Sequence, residues 1–273
     1  NGVEYVEMQL LAEIYGMLAV HNSNEAIAKV FESWNQGALS SYLLDITVKI
    51  LRKKEGDDYL LDKILDKAGN KGTGSWSSKA AFDLGIPNTM MSSAVFARYI
   101  SSFKESRIAM SRKVKKNRIN VQLPEISVIK DAYNMARLIN HQQGFKLMEL
   151  ASASYGWKLN FSEIARIWSN GCIIKSHLMN SLHEEFKAQS DLFQMEAIFK
   201  DLSDYEEALR TVLKSGLDLR ISLHCFTAAY HYWVDMTSER LAANLIQAQR
   251  DFFGAHTYQR SDDKSGDYYH TKW

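Results

Sequence analysis

The scarcity of helix-interrupting residues is what most constrains the fold of this chain. Only two prolines, Pro87 and Pro124, and 14 glycines occur in 273 residues. Proline removes a backbone donor and glycine loosens the backbone, so their rarity favours long helices. Apolar residues near the N-terminus recur every three or four positions, as one face of a helix requires: Val3, Val6, Leu10, Ile14, Met17 and Leu18. The sequence therefore predicts an all-α fold.

Capping patterns place further helices. Residues 160–163 (NFSE) match a capping box that opens a helix through Trp168, and residues 203–206 (SDYE) match another whose helix stops at Gly216. The last long helix is expected from Leu217 to about Phe253. The sequence contains no alternating strand pattern and no G-x-G-x-x-G after a strand, so it lacks the dinucleotide-binding signature.

Composition and charge argue against several classes of partner. Hydrophobic residues make up 46% of the chain and the formal net charge is +1, so no global field attracts nucleic acid or an anionic membrane. No run of about 18 apolar residues predicts a membrane span. Two cysteines, Cys172 and Cys225, indicate a reducing, cytoplasmic compartment. They lack the spacing of zinc ligands, and no metal site is expected.

A basic run precedes Pro124 and consists of Arg112, Lys113, Lys115, Lys116 and Arg118. A nucleic-acid surface typically has aromatic residues between its cations, and no aromatic residue lies within this run. The run is better explained as a solvated loop or helix end.

A weak internal repeat connects two distant segments. Residues 34–39 (WNQGAL) resemble residues 168–173 (WSNGCI), and each segment follows an apolar helical run. Chance could produce W-x-x-G twice, but the matched position after a helix favours a duplication of helical halves.

The first helical turn carries a candidate site. Asn1, Glu4, Tyr5 and Met8 share one helix face. A carboxylate and an amide facing a cleft can transfer protons and orient hydroxyl groups. The alternative is a frayed first turn whose glutamate favours the positive helix end.

A glycine-rich segment is a second candidate. Residues 67–76 (KAGNKGTGSW) hold three glycines, and Lys71 and Thr73 add a charge and a hydroxyl just before a helix. This combination suits an anion, although the segment is not a Walker A loop. A simple connector remains the alternative. Arg98 lies in an apolar helical run, where its charge needs an anionic partner, most simply a buried salt bridge.

The C-terminal residues form the third candidate. A helical pattern stops at Gly254, where Arg250, His256 and Tyr258 cluster. The remaining residues to Trp273 are too polar to make a core of their own, so they are expected to dock elsewhere.

Four motifs together resemble those of the 6-phosphogluconate dehydrogenase family. They lie in order at residues 1–10 (NGVEYVEMQL), 65–74 (LDKAGNKGTG), 167–174 (IWSNGCII) and 249–258 (QRDFFGAHTY). The resemblance covers the whole chain but only the C-terminal helical domain of the enzyme. It implies oxidative decarboxylation of 6-phosphogluconate to ribulose 5-phosphate with NADP, a reaction of the pentose phosphate pathway.

The resemblance also implies roles for the matched residues. Glu4 would be the general acid that protonates the enediol after decarboxylation, and Asn1 would hold substrate hydroxyls. Substrate and phosphate binding would fall to Tyr5, Lys71, Thr73 and Arg98. Arg250 and His256 would reach the site of the neighbouring subunit in a homodimer, Arg250 to the phosphate and His256 to sugar hydroxyls.

The family pattern implies a division of the chain and a limit on its activity. Residues 1–253 would form the substrate-binding and dimerisation domain, and residues 254–273 a tail docked on the partner subunit. In the family, NADP is bound mainly by an N-terminal Rossmann domain, and that domain is not in this sequence. The sequence also lacks the lysine base and the histidine that precede Asn1 in the family motif. The chain alone is therefore expected to be inactive.

Two other functions compete with this one. The chain could be a non-enzymatic helical dimerisation module, or it could belong to another β-hydroxyacid dehydrogenase. Lys71, Arg98 and Arg250 discriminate among them, because an unphosphorylated hydroxy acid has no need of three convergent cations.

Overall fold

The computed structural model describes residues 1–114 and 122–273, which contain thirteen α-helices, one 3-10 helix and one two-stranded hairpin. The α-helices are α1 (Gly2–Leu18), α2 (Asn24–Trp34), α3 (Tyr42–Arg52), α4 (Leu60–Lys63), α5 (Thr73–Leu84), α6 (Thr89–Ser102), α7 (Lys104–Ser111), α8 (Ile126–Tyr155), α9 (Phe161–Trp168), α10 (His177–Glu185), α11 (Glu196–Asp218), α12 (His224–Met236) and α13 (Ala243–Gly254). The 3-10 helix is Leu192–Gln194, and the antiparallel strands are β1 (Lys54–Glu55) and β2 (Asp58–Tyr59). The all-α prediction is confirmed, and the short hairpin is the small exception to it.

Helix α1 forms where the apolar spacing predicts it. Val6 and Leu10 are completely buried, and Ile14 is 1% exposed. Burying each such side chain stabilises the fold by about 1.5–3 kcal/mol. The helix packs against α5, α6 and α8, so it lies at the centre of the elements that build the site.

The 30-residue helix α8 carries an unusual polar stretch into the core. Arg137, Asn140 and His141 are each no more than 1% exposed. Arg137 donates to the Glu7 carboxylate at 3.1 Å, and Asn140 donates to the Val3 carbonyl at 3.0 Å. These bonds give the buried Arg137 guanidinium and the Asn140 amide nitrogen acceptors on α1, and so join α8 to α1.

The internal repeat is visible as two helix pairs. Helices α2 and α9 end at the two matched tryptophans, Trp34 and Trp168. Ser41 and Ser176 then cap α3 and α10, each accepting from the backbone N–H three residues ahead. The two serines pair as an antiparallel bridge. A helix ending at tryptophan and a following helix capped by serine thus occur in the same order in both segments, as the predicted duplication requires.

Two boundary predictions are wrong. Ser203 does not start a helix, because α11 begins at Glu196 and runs past Gly216 to Asp218, and the Ser203 hydroxyl donates to the Phe199 carbonyl at 2.9 Å inside that helix. The helix expected to start at Leu217 is instead two helices, α12 and α13. By contrast, Asn160 caps α9 as predicted, accepting from the Glu163 N–H at 3.1 Å.

The chain forms two compact units, Asn1–Tyr232 and Trp233–Trp273. In the first unit, Arg112 and Lys113 follow α7 and are exposed, as expected of a solvated helix end, whereas Lys115, Lys116 and Arg118 lie outside the described residues. None of the helices in the described part of the chain is long and apolar enough to cross a membrane.

Candidate active site

The start of α1 is packed rather than frayed. Gly2 is buried, and a side chain there would lie 2.9 Å from the Ser77 Cβ of α5. The Tyr5 N–H donates to the Asn1 carbonyl at 3.1 Å, so the helix is hydrogen-bonded from its first turn. Asn1 is exposed and Glu4 is half-buried, and no described residue pairs with the Glu4 carboxylate. This turn therefore presents polar side chains from a fixed backbone.

Tyr5 connects α1 to the two other helices of the site. Its ring is only 4% exposed, and the Arg98 guanidinium of α6 lies 3.5 Å from the ring centroid. The ring also touches the first turn of α5, where a Cβ on Gly74 would lie 2.7 Å from the Tyr5 Cδ1. Glycine is needed at position 74 because any larger residue would displace the ring.

The glycine-rich segment ends in a helix N-terminus. Gly72 has φ of +91°, a conformation that glycine adopts without strain, and α5 starts at the next residue. The first intrahelical bond runs from the Trp76 N–H to the Gly72 carbonyl at 3.1 Å. The N–H groups of Thr73, Gly74 and Ser75 precede that bond and have no intrahelical acceptor. Together with the exposed Lys71 beside them, they form a positive end suited to an anion.

Among the described residues, Arg98 does not form the buried salt bridge that would be its ordinary explanation. It is half-buried, stacks on Tyr5 and has one amino group 3.4 Å from the Met8 sulfur. No carboxylate of the described residues pairs with it. Stacking on a ring leaves the edge of the guanidinium able to donate to a carboxylate or phosphate.

Six of the eight site residues predicted from the sequence thus lie on three helices that contact one another, or directly before them. Glu4 and Tyr5 belong to α1, Thr73 to α5 and Arg98 to α6, whereas Asn1 is the residue before α1 and Lys71 lies two residues before α5. Gly74 is the residue that sequence reasoning missed. The sequence signal for Gly74 was a third glycine directly after Thr73, because a glycine there allows the helix backbone to approach another group closely, here the Tyr5 ring.

The remaining two, Arg250 and His256, lie in the second unit. Arg250 is exposed on α13 and donates to the Gln247 side chain at 2.9 Å. His256 is exposed just after the helix, with its ring centroid 6.0 Å from that of Phe253. Both side chains face outward and can contact another molecule.

Asp251 organises the tail that carries His256. It is completely buried and accepts bonds from the Thr257 and Thr271 N–H groups, the His270 ring and the Trp273 indole, all at 2.9–3.0 Å. Burial raises the pKa of Asp251, but these donors outweigh it and lower the pKa to about 2. A carboxylate in the last turn of a helix is electrostatically unfavourable without such donors. An aspartate at this position of the predicted helix was therefore a sequence signal for the structural role of Asp251, and it was missed.

Known proteins are similar to this chain over its whole length. The family model for the 6-phosphogluconate dehydrogenase C-terminal domain matches residues 1–273. The chain is 42% identical to decarboxylating 6-phosphogluconate dehydrogenase of Lactococcus lactis subsp. lactis and 41% identical to that of Escherichia coli K12. Each alignment covers 100% of this chain and 60% of the relative.

A solved structure is similar over the same range. Plasmodium falciparum 6-phosphogluconate dehydrogenase, described in apo form and in complexes with its cofactor NADP+ and its substrate 6-phosphogluconate, superposes with a TM-score of 0.95 at 37% identity. The match covers 100% of this chain and 61% of that protein. The chain therefore belongs to the 6-phosphogluconate dehydrogenase family, of which it spans the C-terminal domain.

Proposed function

We propose that this chain is the substrate-binding part of an enzyme that oxidatively decarboxylates 6-phosphogluconate to ribulose 5-phosphate with NADP+. The observation that carries the proposal is the Tyr5 ring, which contacts both the start of α5 and the Arg98 guanidinium. This contact brings two anion-binding elements to one place beside Glu4.

The phosphate end of the substrate is assigned to Lys71, Thr73 and Arg98. Two cations, a hydroxyl and the N-terminal N–H groups of α5 together suit a dianion, because charge-assisted bonds to phosphate are roughly twice as strong as neutral ones. Arg98 has no competing carboxylate among the described residues, which supports its assignment to an external anion.

Glu4 is assigned the role of general acid. After carbon dioxide leaves, the enediol must gain a proton at the carbon that carried the carboxylate, and a protonated Glu4 would supply it. A half-buried carboxyl group without a structural partner is free to make this contact. Asn1, exposed at the same helix end, is assigned to substrate hydroxyls.

NADP+ enters the proposal because the similar Plasmodium falciparum enzyme forms a complex with it as its cofactor. When bound, it would accept a hydride from the substrate carbon that bears the 3-hydroxyl. The described residues include no glycine-rich turn between a strand and a helix, so no residue of this chain is assigned to the cofactor.

The proposal includes a cytoplasmic homodimer in which residues 254–273 dock on the partner. Arg250 at the end of α13 and His256 in the docked tail then reach the partner's site. Helix α13 supports this assembly, because it exposes large apolar side chains that favour burial against another surface: Leu245, Ile246, Phe252 and Phe253. The cytoplasmic assignment rests on the two cysteines, which are both free.

Binding of 6-phosphogluconate and of gluconate to the 273-residue chain tests the phosphate site by calorimetry. We expect 6-phosphogluconate to bind more tightly, and Lys71→Ala to abolish most of that preference. Equal affinities for the two compounds would favour another β-hydroxyacid dehydrogenase, and no binding of either would favour a dimerisation module.

Mixed dimers test the assembly. In a full-length enzyme carrying this chain, an Arg250→Ala subunit paired with a Glu4→Gln subunit should contain one fully repaired site and one doubly damaged site. Activity approaching half that of the parent is expected, since whole chains are exchanged. Mixed dimers no more active than the mean of the single mutants would show that Arg250 serves its own subunit.

A further inference from the structure

The segment that leads to Lys71 has little structure of its own. Residues 64–71 form no helix or strand, and all of them are exposed. The single bond within it joins the Lys67 N–H to the Leu65 carbonyl at 2.7 Å. A segment with so few internal contacts takes its position from whatever holds it to neighbouring helices.

Asp66 supplies one such attachment. Its carboxylate accepts from Lys104 and, at 3.0 Å, from Arg107, both on α7. The bonds from Lys104 and Arg107 lower the pKa of Asp66 to about 2, so the carboxylate stays charged at neutral pH. Arg107 also donates to the Asp66 carbonyl at 3.0 Å, which fixes backbone as well as side chain.

The same arginine reaches the helix that carries Arg98. Arg107 donates to the Ser101 carbonyl at 3.0 Å. The Ser101 hydroxyl accepts from the Ala68 N–H at 2.9 Å and donates to the Arg98 carbonyl at 2.6 Å. One connected set of bonds therefore runs from the segment before Lys71 to the backbone of Arg98.

We propose that Asp66 and Arg107 are positioning residues for anion binding, because they set the place of Lys71 and the start of α5 relative to Arg98. The inference rests on the proposed function, since it assumes that Lys71, Thr73 and Arg98 bind the phosphate group. Neither Asp66 nor Arg107 is assigned a contact with substrate.

The alternative is that Asp66 forms an ordinary surface ion pair. Its side chain is 56% exposed and that of Arg107 is 33% exposed, and exposed pairs contribute little to global stability. The two explanations predict opposite changes in phosphate affinity for Asp66→Asn. Removing a negative charge near a cationic site should tighten phosphate binding by electrostatics alone, whereas loss of positioning should weaken it.

The experiment is an NMR titration of the 273-residue chain with inorganic phosphate. If Asp66→Asn leaves the segment in its binding position about one-fifth of the time, the dissociation constant rises about fivefold. Arg107→Lys keeps the charge but removes the fork, and it should also weaken binding. The Ala68 N–H should exchange faster with solvent in both variants, while the unfolding midpoint stays unchanged.

Asp45→Asn is the matched control, because Asp45 forms an exposed pair with Lys49 on α3 at 2.7 Å. It should bind phosphate like the parent. Parent-like or tighter binding by Asp66→Asn would overturn the positioning role while leaving the phosphate site intact. If Lys71→Ala does not weaken binding in the otherwise unchanged chain, the proposed site fails, and the positioning role fails with it.

Discussion

The glutamate in the first turn of α1 and the two glutamates in its later turns differ in burial and in the partners of their carboxylates. Glu4 is half-buried and has no partner among the described residues. Glu7 and Glu13 are each 3% exposed and are fully engaged, Glu7 with Arg137 and Glu13 with the N–H groups that begin α12. A carboxylate that holds the fold together is surrounded by donors, and one left without them is available for chemistry.

Arg137→Ala should cause the largest loss of stability among these variants, because it removes the partner of a structural glutamate, Glu7. Arg137 is 1% exposed, and its loss leaves the buried Glu7 carboxylate without its cation. Breaking such a pair typically lowers the free energy of unfolding by about 3–5 kcal/mol. Urea denaturation measures the change, with the exposed Arg210→Ala as control. A loss below about 1 kcal/mol would show that the Glu7–Arg137 ion pair does not stabilise the fold.

Glu13 should make stability depend on pH. Burial raises its pKa to about 7, although the N–H groups of Cys225 and Phe226 and the Gln9 amide oppose that rise. The folded protein therefore holds this proton more tightly than the unfolded chain. The stabilisation is fully present below pH 4.5 and is lost as the pH rises through about 7.

The measurement compares the parent chain with Glu13→Gln. The parent should lose about 2–3 kcal/mol relative to the variant between pH 5 and pH 8. Urea denaturation at both pH values gives this difference, because the titration of all other groups cancels. A difference that does not change with pH would show that Glu13 keeps an ordinary pKa.

Gly74→Ala should affect the site more than the fold. The new methyl group would overlap the Tyr5 ring, and overpacking typically destabilises by about 1–3 kcal/mol, partly offset by the better helix propensity of alanine. The displaced ring should weaken 6-phosphogluconate binding about tenfold or more. Gly16→Ala is the control, since nothing lies within 4 Å of its added Cβ. Equal affinities in the two variants would refute the Tyr5 contact as a determinant of the site.

These residues also show how far the sequence could predict the structure. The apolar spacing of α1 located that helix because its buried side is set by local periodicity. The same local logic failed at Ser203, where a capping pattern lies inside a longer stripe that includes the buried Leu202 and Leu209. Local sequence could not give the partner of Arg98, because Tyr5 is distant in the chain and meets it only after α1 and α6 pack together.

The individual roles of the site residues were available only through the family resemblance. Spacing alone favoured a frayed helix end over catalysis as the explanation of Glu4. The structure removes the frayed-end explanation, because buried Gly2 fixes that end against α5. It adds Gly74, Asp66 and Arg107, whose importance depends on contacts that no motif displays.

Glu4→Gln should have the smallest effect on stability. The side chain forms no structural bond to a described residue, so the free energy of unfolding should change by less than about 0.5 kcal/mol. Thermal and urea unfolding of the 273-residue chain measure this change. A larger loss would place Glu4 with Glu7 and Glu13 as a structural group.

The kinetics of Glu4→Gln in a full-length enzyme carrying this chain test the central claim most directly, with the exposed Glu185→Gln of α10 as control. Because a general acid acts only while a proton moves, kcat for 6-phosphogluconate should fall by about 100- to 10,000-fold with little change in KM. The control should retain parental kinetics. A Glu4→Gln enzyme with parental kcat would contradict the assignment of this unpaired carboxylate to catalysis.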